Sequence, residues 1–165
     1  MSSQPIFPPR NPASMLALVV GAVFLLVGIL GFIPGVTTDY DMMSFAGHDS
    51  MAKLFGLFQV SVLHNIVHLL FGVAGIALAR TARTAAGYLV VGVVVYLVLW
   101  IYGLVVDQAS QANFVPLNTP DNWLHFGLGV GMIALGVLGY RAVRAGTVTG
   151  SGTGSGASDV TGRQA

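Results

Sequence analysis

Residues 15–33 read MLALVVGAVFLLVGILGFI, nineteen consecutive residues without a charge. At about 1.5 Å per residue, a helix of this length spans a hydrocarbon core of roughly 30 Å. The competing reading is a secretory signal peptide, whose apolar core usually runs about 7–15 residues before a small-residue cleavage site. This run is longer, no A-x-A-like site follows it, and a retained membrane helix is the expectation. Pro34 and Gly35 stop it. Ahead of it, residues 1–14 hold four prolines and read as an irregular lead-in, with Pro12 and Ser14 placed to start the helix.

Three further apolar stretches follow the same logic. Residues 54–79, LFGLFQVSVLHNIVHLLFGVAGIALA, exceed what one crossing needs, so residues 54–60 are expected in the interface or as an extension of the helix. Residues 84–106 and 122–140 complete a set of four spans. Valine runs in the third are acceptable in lipid, where only a helix or a closed barrel satisfies the backbone. Residues 145–165 are rich in Gly, Ser and Thr, have nothing to bury, and read as a disordered tail. The expected fold is all-α: an integral membrane four-helix bundle.

Composition agrees. Charged residues make up 8% of the chain, against roughly a quarter in ordinary globular domains. Seven basic residues dispersed along 165 form no patch for nucleic acid, and the absence of cysteine excludes disulfides, thiolate metal sites and cysteine nucleophiles. Arg10, Arg80, Arg83, Arg141, Arg144 and Arg163 fall on one side of the four spans and Lys53 alone on the other. The positive-inside rule makes the arginine side cytoplasmic, so both termini lie inside. Asp39, Asp41, Asp49, Asp107 and Asp121 fall outside, and Trp100, Tyr102 and Trp123 stand where an outer aromatic belt belongs.

The second and fourth spans align without gaps: Asn65-Ile66-Val67-His68-Leu69-Leu70-Phe71-Gly72-Val73 against Asn122-Trp123-Leu124-His125-Phe126-Gly127-Leu128-Gly129-Val130. Leu18-Val19-Val20-Gly21 matches Leu89-Val90-Val91-Gly92 more weakly. Two pseudo-repeated hairpins of one topology imply a pseudo-two-fold axis along the membrane normal. The bland alternative is chance similarity between membrane helices of low complexity.

These stretches, H-N-I-V-H-L-L-F-G at 64–72, G-Y-x(7)-Y-x(3)-W in span three and D-N-W-L-H at 121–125, resemble the bacterial four-span proteins grouped as domain of unknown function 4383. The resemblance covers roughly residues 15–140. It implies a bacterial plasma membrane and supplies no mechanism.

No Asp, Glu, Lys or Arg lies within the spans, leaving His64, His68 and His125 as the readily ionisable groups there. Ionisable groups inside a bilayer are a functional hypothesis by default, and histidine is the mildest case because its neutral form costs far less than a full charge. His64 and His68, four apart, share a helix face that Gly72, Gly75 and Ala79 continue. Counted from the cytoplasmic arginines, His68 and His125 differ in depth by roughly 6 Å, both in the outer half. Asn65 and Asn122 point near the same faces, and Tyr96 offers a hydroxyl midway along span three.

The leading expectation for these six residues is polar glue between helices, worth about 0.6–2 kcal/mol per contact, in a non-enzymatic structural or accessory membrane component. The alternative is a haem or divalent-metal site using His64, His68 and His125, or a pathway for protons or small solutes. No intramembrane carboxylate backs the imidazoles, which weighs against a metal. Gly127/Gly131 and Gly21, Gly28 and Gly31 have spacings that either seal the bundle or join it to a second copy or a partner membrane protein. His48, Asp49, Asp39 and Asp41 read as a solvated outer loop.

Overall fold

The computed structural model describes residues 11–150. The rest of the lead-in and of the tail lies outside the described residues. Four helices account for most of the chain: α1 (Pro12–Leu30), α2 (Val62–Leu78), α3 (Ala82–Val105) and α4 (Thr119–Gly150). Each begins on a residue that can accept a hydrogen bond from an otherwise unpaired first-turn N–H. Asn11 Oδ1 accepts from Ser14 N at 2.9 Å, with Pro12 at the first helical position. Ser61 Oγ accepts from His64 N at 3.1 Å, and Thr81 Oγ1 from Thr84 N at 3.2 Å. At α4 the exchange is reciprocal: Asp121 N donates to Asn118 Oδ1 at 2.9 Å, and Asn118 N donates to Asp121 Oδ2 at 3.1 Å.

The second apolar stretch is not helical from its start. Strands β1 (Thr37–Thr38), β2 (Lys53–Leu54) and β3 (Phe58–Gln59) form a small antiparallel sheet in that order, so residues 54–60 belong to a folded cap and α2 begins at Val62. The reason is local. Phe55 and Gly56 both take left-handed backbone conformations, at φ 54° and 70°, which turns β2 into β3. Ser50 Oγ then donates to the Val60 carbonyl at 2.6 Å, and Gln59 Nε2 donates to the Ser50 carbonyl at 2.6 Å. The segment is thus a cap with Ala52, Leu54 and Val60 as its own core, and Asp39, Asp41 and Asp49 lie exposed on its surface as a solvated loop requires. At the other end of the molecule α4 continues to Gly150, so residues 145–150 are helical where a disordered tail was expected.

α1 packs along α2 and α3 along α4, and the two pairs meet chiefly through α1 and α3. Ala17, Ala79, Ala85 and Tyr88 form one core cluster, and Phe24, Tyr96 and Met132 another. Apolar side chains cover the outside of the helices as well as these clusters, unlike in a water-soluble bundle. Val19, Val23, Leu26 and Ile29 of α1 and Val90, Val94, Val98 and Ile101 of α3 face outward, while Asn65, Asn122 and His125 are buried. A surface of that kind suits hydrocarbon rather than water. α1 and α3 are each long and apolar enough to cross a membrane, and α2 is a shorter apolar helix of 17 residues.

Candidate functional site: a wall of rings between two clefts

The first two turns of α2 present His64 and His68 on one face, stacked with centroids 4.3 Å apart and planes at 16°. His68 Nδ1 lies 3.0 Å from the His64 carbonyl oxygen. A carbonyl can only accept, so in the neutral ring Nδ1 carries the hydrogen and Nε2 keeps the lone pair. The His68 ring leans on Phe24 of α1 at 5.2 Å, Phe24 on Tyr96 of α3 at 5.9 Å, and Tyr96 on His125 of α4 at 5.4 Å. One line of rings therefore crosses the bundle and draws on all four helices.

A cleft lies on each side of that wall. One, of about 250 Å³, runs between α2 and α3 beneath Phe114, Val115 and Pro116. The other, of about 270 Å³, runs between α1 and α4 beneath Leu54, Phe58 and Val60 of the cap. Phe24, His64, His68, Tyr96 and His125 line both, and the remaining walls are almost wholly apolar. Among the described residues, His125 Nδ1 is buried with no hydrogen-bond partner. No group of three or more His, Cys, Asp or Glu side chains able to hold a metal ion occurs among the described residues. The stacking of His64 on His68 accounts for part of this, since lone pairs in nearly parallel planes 4.3 Å apart do not meet at the roughly 2.0–2.1 Å a metal requires.

Asn65 and Asn122 leave this group. Asn65 is packed against Gly31, where a Cβ would overlap its amide oxygen, and Asn122 is packed against Gly103 in the same way. Both oxygens are buried without a hydrogen-bond donor, and each occupies the space a Cβ on its glycine would take. The two contacts belong to a longer correspondence. Gly72 meets Leu25 and Gly129 meets Leu97, while His68 meets Phe24 and His125 meets Tyr96. From one helix pair to the other, the first helix is displaced by 72 residues (24 to 96, 25 to 97, 31 to 103) and the second by 57 (65 to 122, 68 to 125, 72 to 129). The capping residues Ser61 and Asn118 keep the shift of 57. The displacement of 72 differs by one from the alignment of Leu18–Gly21 with Leu89–Gly92, so that sequence match does not follow the packing register.

One residue of the site lies outside the six expected. Asp121, 2% exposed, occupies the first turn of α4 beneath the cap sheet, at the position that His64 holds in α2. Its Oδ2 accepts from Asn118 N at 3.1 Å and from Gln59 N of β3 at 2.9 Å, which ties the cap sheet to the start of α4. Burial pushes its carboxyl up to about 7, against the pull of those two N–H donors. It also lines the α1/α4 cleft. The spacing Asn118-x-x-Asp121, with Pro120 between, is a capping-box pattern that could have singled it out. On the cap surface, His48 Nε2 lies 3.3 Å from Asp49 Oδ1. Gly21 and Gly28 seal α1 against α2, whereas a Cβ at Gly127 or Gly131 would meet open space.

The family described as "Domain of unknown function (DUF4383)" matches residues 14–138. No curated protein and no solved structure matches the chain.

Proposed function

The chain therefore belongs to that family, and on that premise we propose that it is a four-span component of the bacterial plasma membrane with a structural or accessory, non-enzymatic role. Two related hairpins, α1/α2 and α3/α4, stand about a pseudo-two-fold axis, with both termini cytoplasmic. The constant displacements of 72 and 57 residues support the repeat, and the outward-facing aliphatic side chains support the four crossings. One observation carries the structural role: Asn65 and Asn122 are taken up in matched contacts with glycine on the neighbouring helix. The test of the role is a visible spectrum and metal analysis of detergent-purified protein. The expected result is a clear spectrum without metal, with loss of stability as the only effect of His68→Ala or His125→Ala. A Soret band, or stoichiometric metal lost in those variants, would overturn it. The topology has a separate test, in which reporters at residues 50 and 110 are expected outside and reporters at residue 82 and the C-terminus inside.

A second reading is favoured by the ring wall itself. His64, His68, His125 and Tyr96 sit together at the junction of two clefts, an arrangement suited to passing protons or small solutes and less to holding haem or a metal. Proteoliposomes with an imposed pH gradient test it: a flux abolished by His68→Ala supports conduction, and no flux above protein-free vesicles rules it out.

A further inference from the structure

The α1/α4 cleft is apolar along most of its lining and carries five polar side chains. Its apolar length comes from Val20 and Val23 of α1 and from Leu124, Leu128 and Met132 of α4. Asp121 and His64 stand in the first turns of α4 and α2, His125 and His68 one turn on, and Tyr96 midway along α3, and no Lys or Arg lines the cleft. Two of these groups have an acceptor to spare. Asp121 spends Oδ2 on two backbone N–H groups, and Oδ1 makes no hydrogen bond among the described residues. His68 turns its Nδ1–H back to its own helix and keeps Nε2 as an acceptor. Asp121 is 2% exposed, and no cation forms an ion pair with it among the described residues, where the one such pair joins His48 and Asp49. A buried carboxylate without a counter-ion is costly, and N–H donors offset only part of that cost.

We infer that this cleft binds a lipophilic amine in its protonated form, the ammonium group between Asp121 Oδ1 and the imidazoles and the apolar body along α1 and α4. Each part of such a molecule meets something on the protein. The cation supplies the missing counter-ion, its N–H groups meet the unused acceptors, and its body fills an apolar space reached through the bilayer. An anionic lipophile would face the carboxylate with like charge, and a neutral alcohol would leave it unpaired. A cavity of roughly 150 Å³ takes benzene, so the larger volume here, about 270 Å³, takes a two-ring body. The inference needs neither a metal nor conduction, and it stands or falls separately from the topology reporters.

The test uses full-length protein in nanodiscs of zwitterionic lipid, titrated with dansylcadaverine, a naphthalene-based primary alkylamine whose fluorescence reports its surroundings. Saturable, blue-shifted emission above protein-free nanodiscs is expected, with affinity at least tenfold weaker for the same dansyl chain ending in a hydroxyl. Asp121→Asn keeps an acceptor for Asn118 N and Gln59 N but removes the charge, and is expected to weaken binding at least tenfold. Val23→Trp fills the cleft from an outward-facing position and is expected to abolish binding, which keeps the test decisive if Asp121→Asn fails to fold. Equal binding of amine and alcohol, wild-type affinity in either variant, or no saturable binding at all would overturn the inference.

Discussion

The two hairpins hold the same polar residues in the same register but close their helices by different means. In α1/α2 the approach is backbone to backbone. A Cβ on Gly21 would lie 2.9 Å from the Gly72 carbonyl oxygen, and one on Gly72 would lie 2.7 Å from Leu25 N. In α3/α4 side chains fill the same space: Leu97 lies over Gly129, Met132 over Gly92, and Trp100 packs on Phe126 at 4.7 Å. The Asn–Gly and ring contacts are thus common to a pair closed by backbone and a pair closed by side chains. The first pair is set by glycine and cannot give, while the second is set by flexible side chains and can.

Substitution at the equivalent glycines tests this most directly. Gly72→Ala drives a methyl into the α1 backbone, so it is expected to cost about 3 kcal/mol or to prevent folding. Chemical unfolding in detergent checks it, and a loss under about 1 kcal/mol would remove the supposed difference between the pairs.

The acidic cap on the second hairpin gives the next effect. α2 starts on neutral Ser61, whereas α4 starts with buried Asp121, whose carboxyl is raised from 3.8 to about 7. The folded state therefore binds this proton more tightly than the unfolded chain. Its contribution to stability is greatest at and below about pH 4 and falls as pH rises toward 7, by up to about 1.4 kcal/mol per pH unit. His64, His68, His125 and Tyr96 face the same cleft, and Lys53 neighbours Gln59 across the sheet. The slope should therefore be measured in wild type against Asp121→Asn, where it is expected to vanish. An unchanged slope would assign the pH dependence to those neighbours.

Smaller effects belong to the second hairpin. Gly129→Ala meets Leu97 Cδ2 at 3.0 Å, a side chain that can move, and a loss below about 1 kcal/mol is expected. Gly92→Ala meets Met132 Cε at an ordinary 3.5 Å. There the better helix propensity of alanine is expected to leave stability unchanged or raised by about 0.5–1 kcal/mol. If Gly92→Ala destabilised the protein as much as Gly72→Ala, the two pairs would be packed alike.

The glycines also show where sequence reading stops. Nineteen uncharged residues from Met15 announce a helix long and apolar enough to cross a membrane, whatever packs around it. The shared Asn-x-x-His of α2 and α4 was visible in the same way, as were His64, His68, Tyr96 and His125 as polar groups in apolar helices. Hydropathy could not show that residues 54–60 form strands, since a sheet edge and a helix turn use the same apolar residues and the choice rests on Phe55, Gly56 and hydrogen bonds to Ser50. The shift of 72 between α1 and α3 was equally hidden, because valine-rich helices align in several registers and only contact selects one.

Composition and period were enough to place four apolar helices, though not all of their ends, and to single out the polar side chains within them. The tertiary structure decided how those groups are used. It placed each Asn against a glycine on the neighbouring helix and gathered the histidines and Tyr96 into one wall of rings. It also brought Asp121 and His64 to the lining of one cleft, although 57 residues separate them in the chain. Those partnerships depend on how two hairpins meet, and no local pattern encodes that.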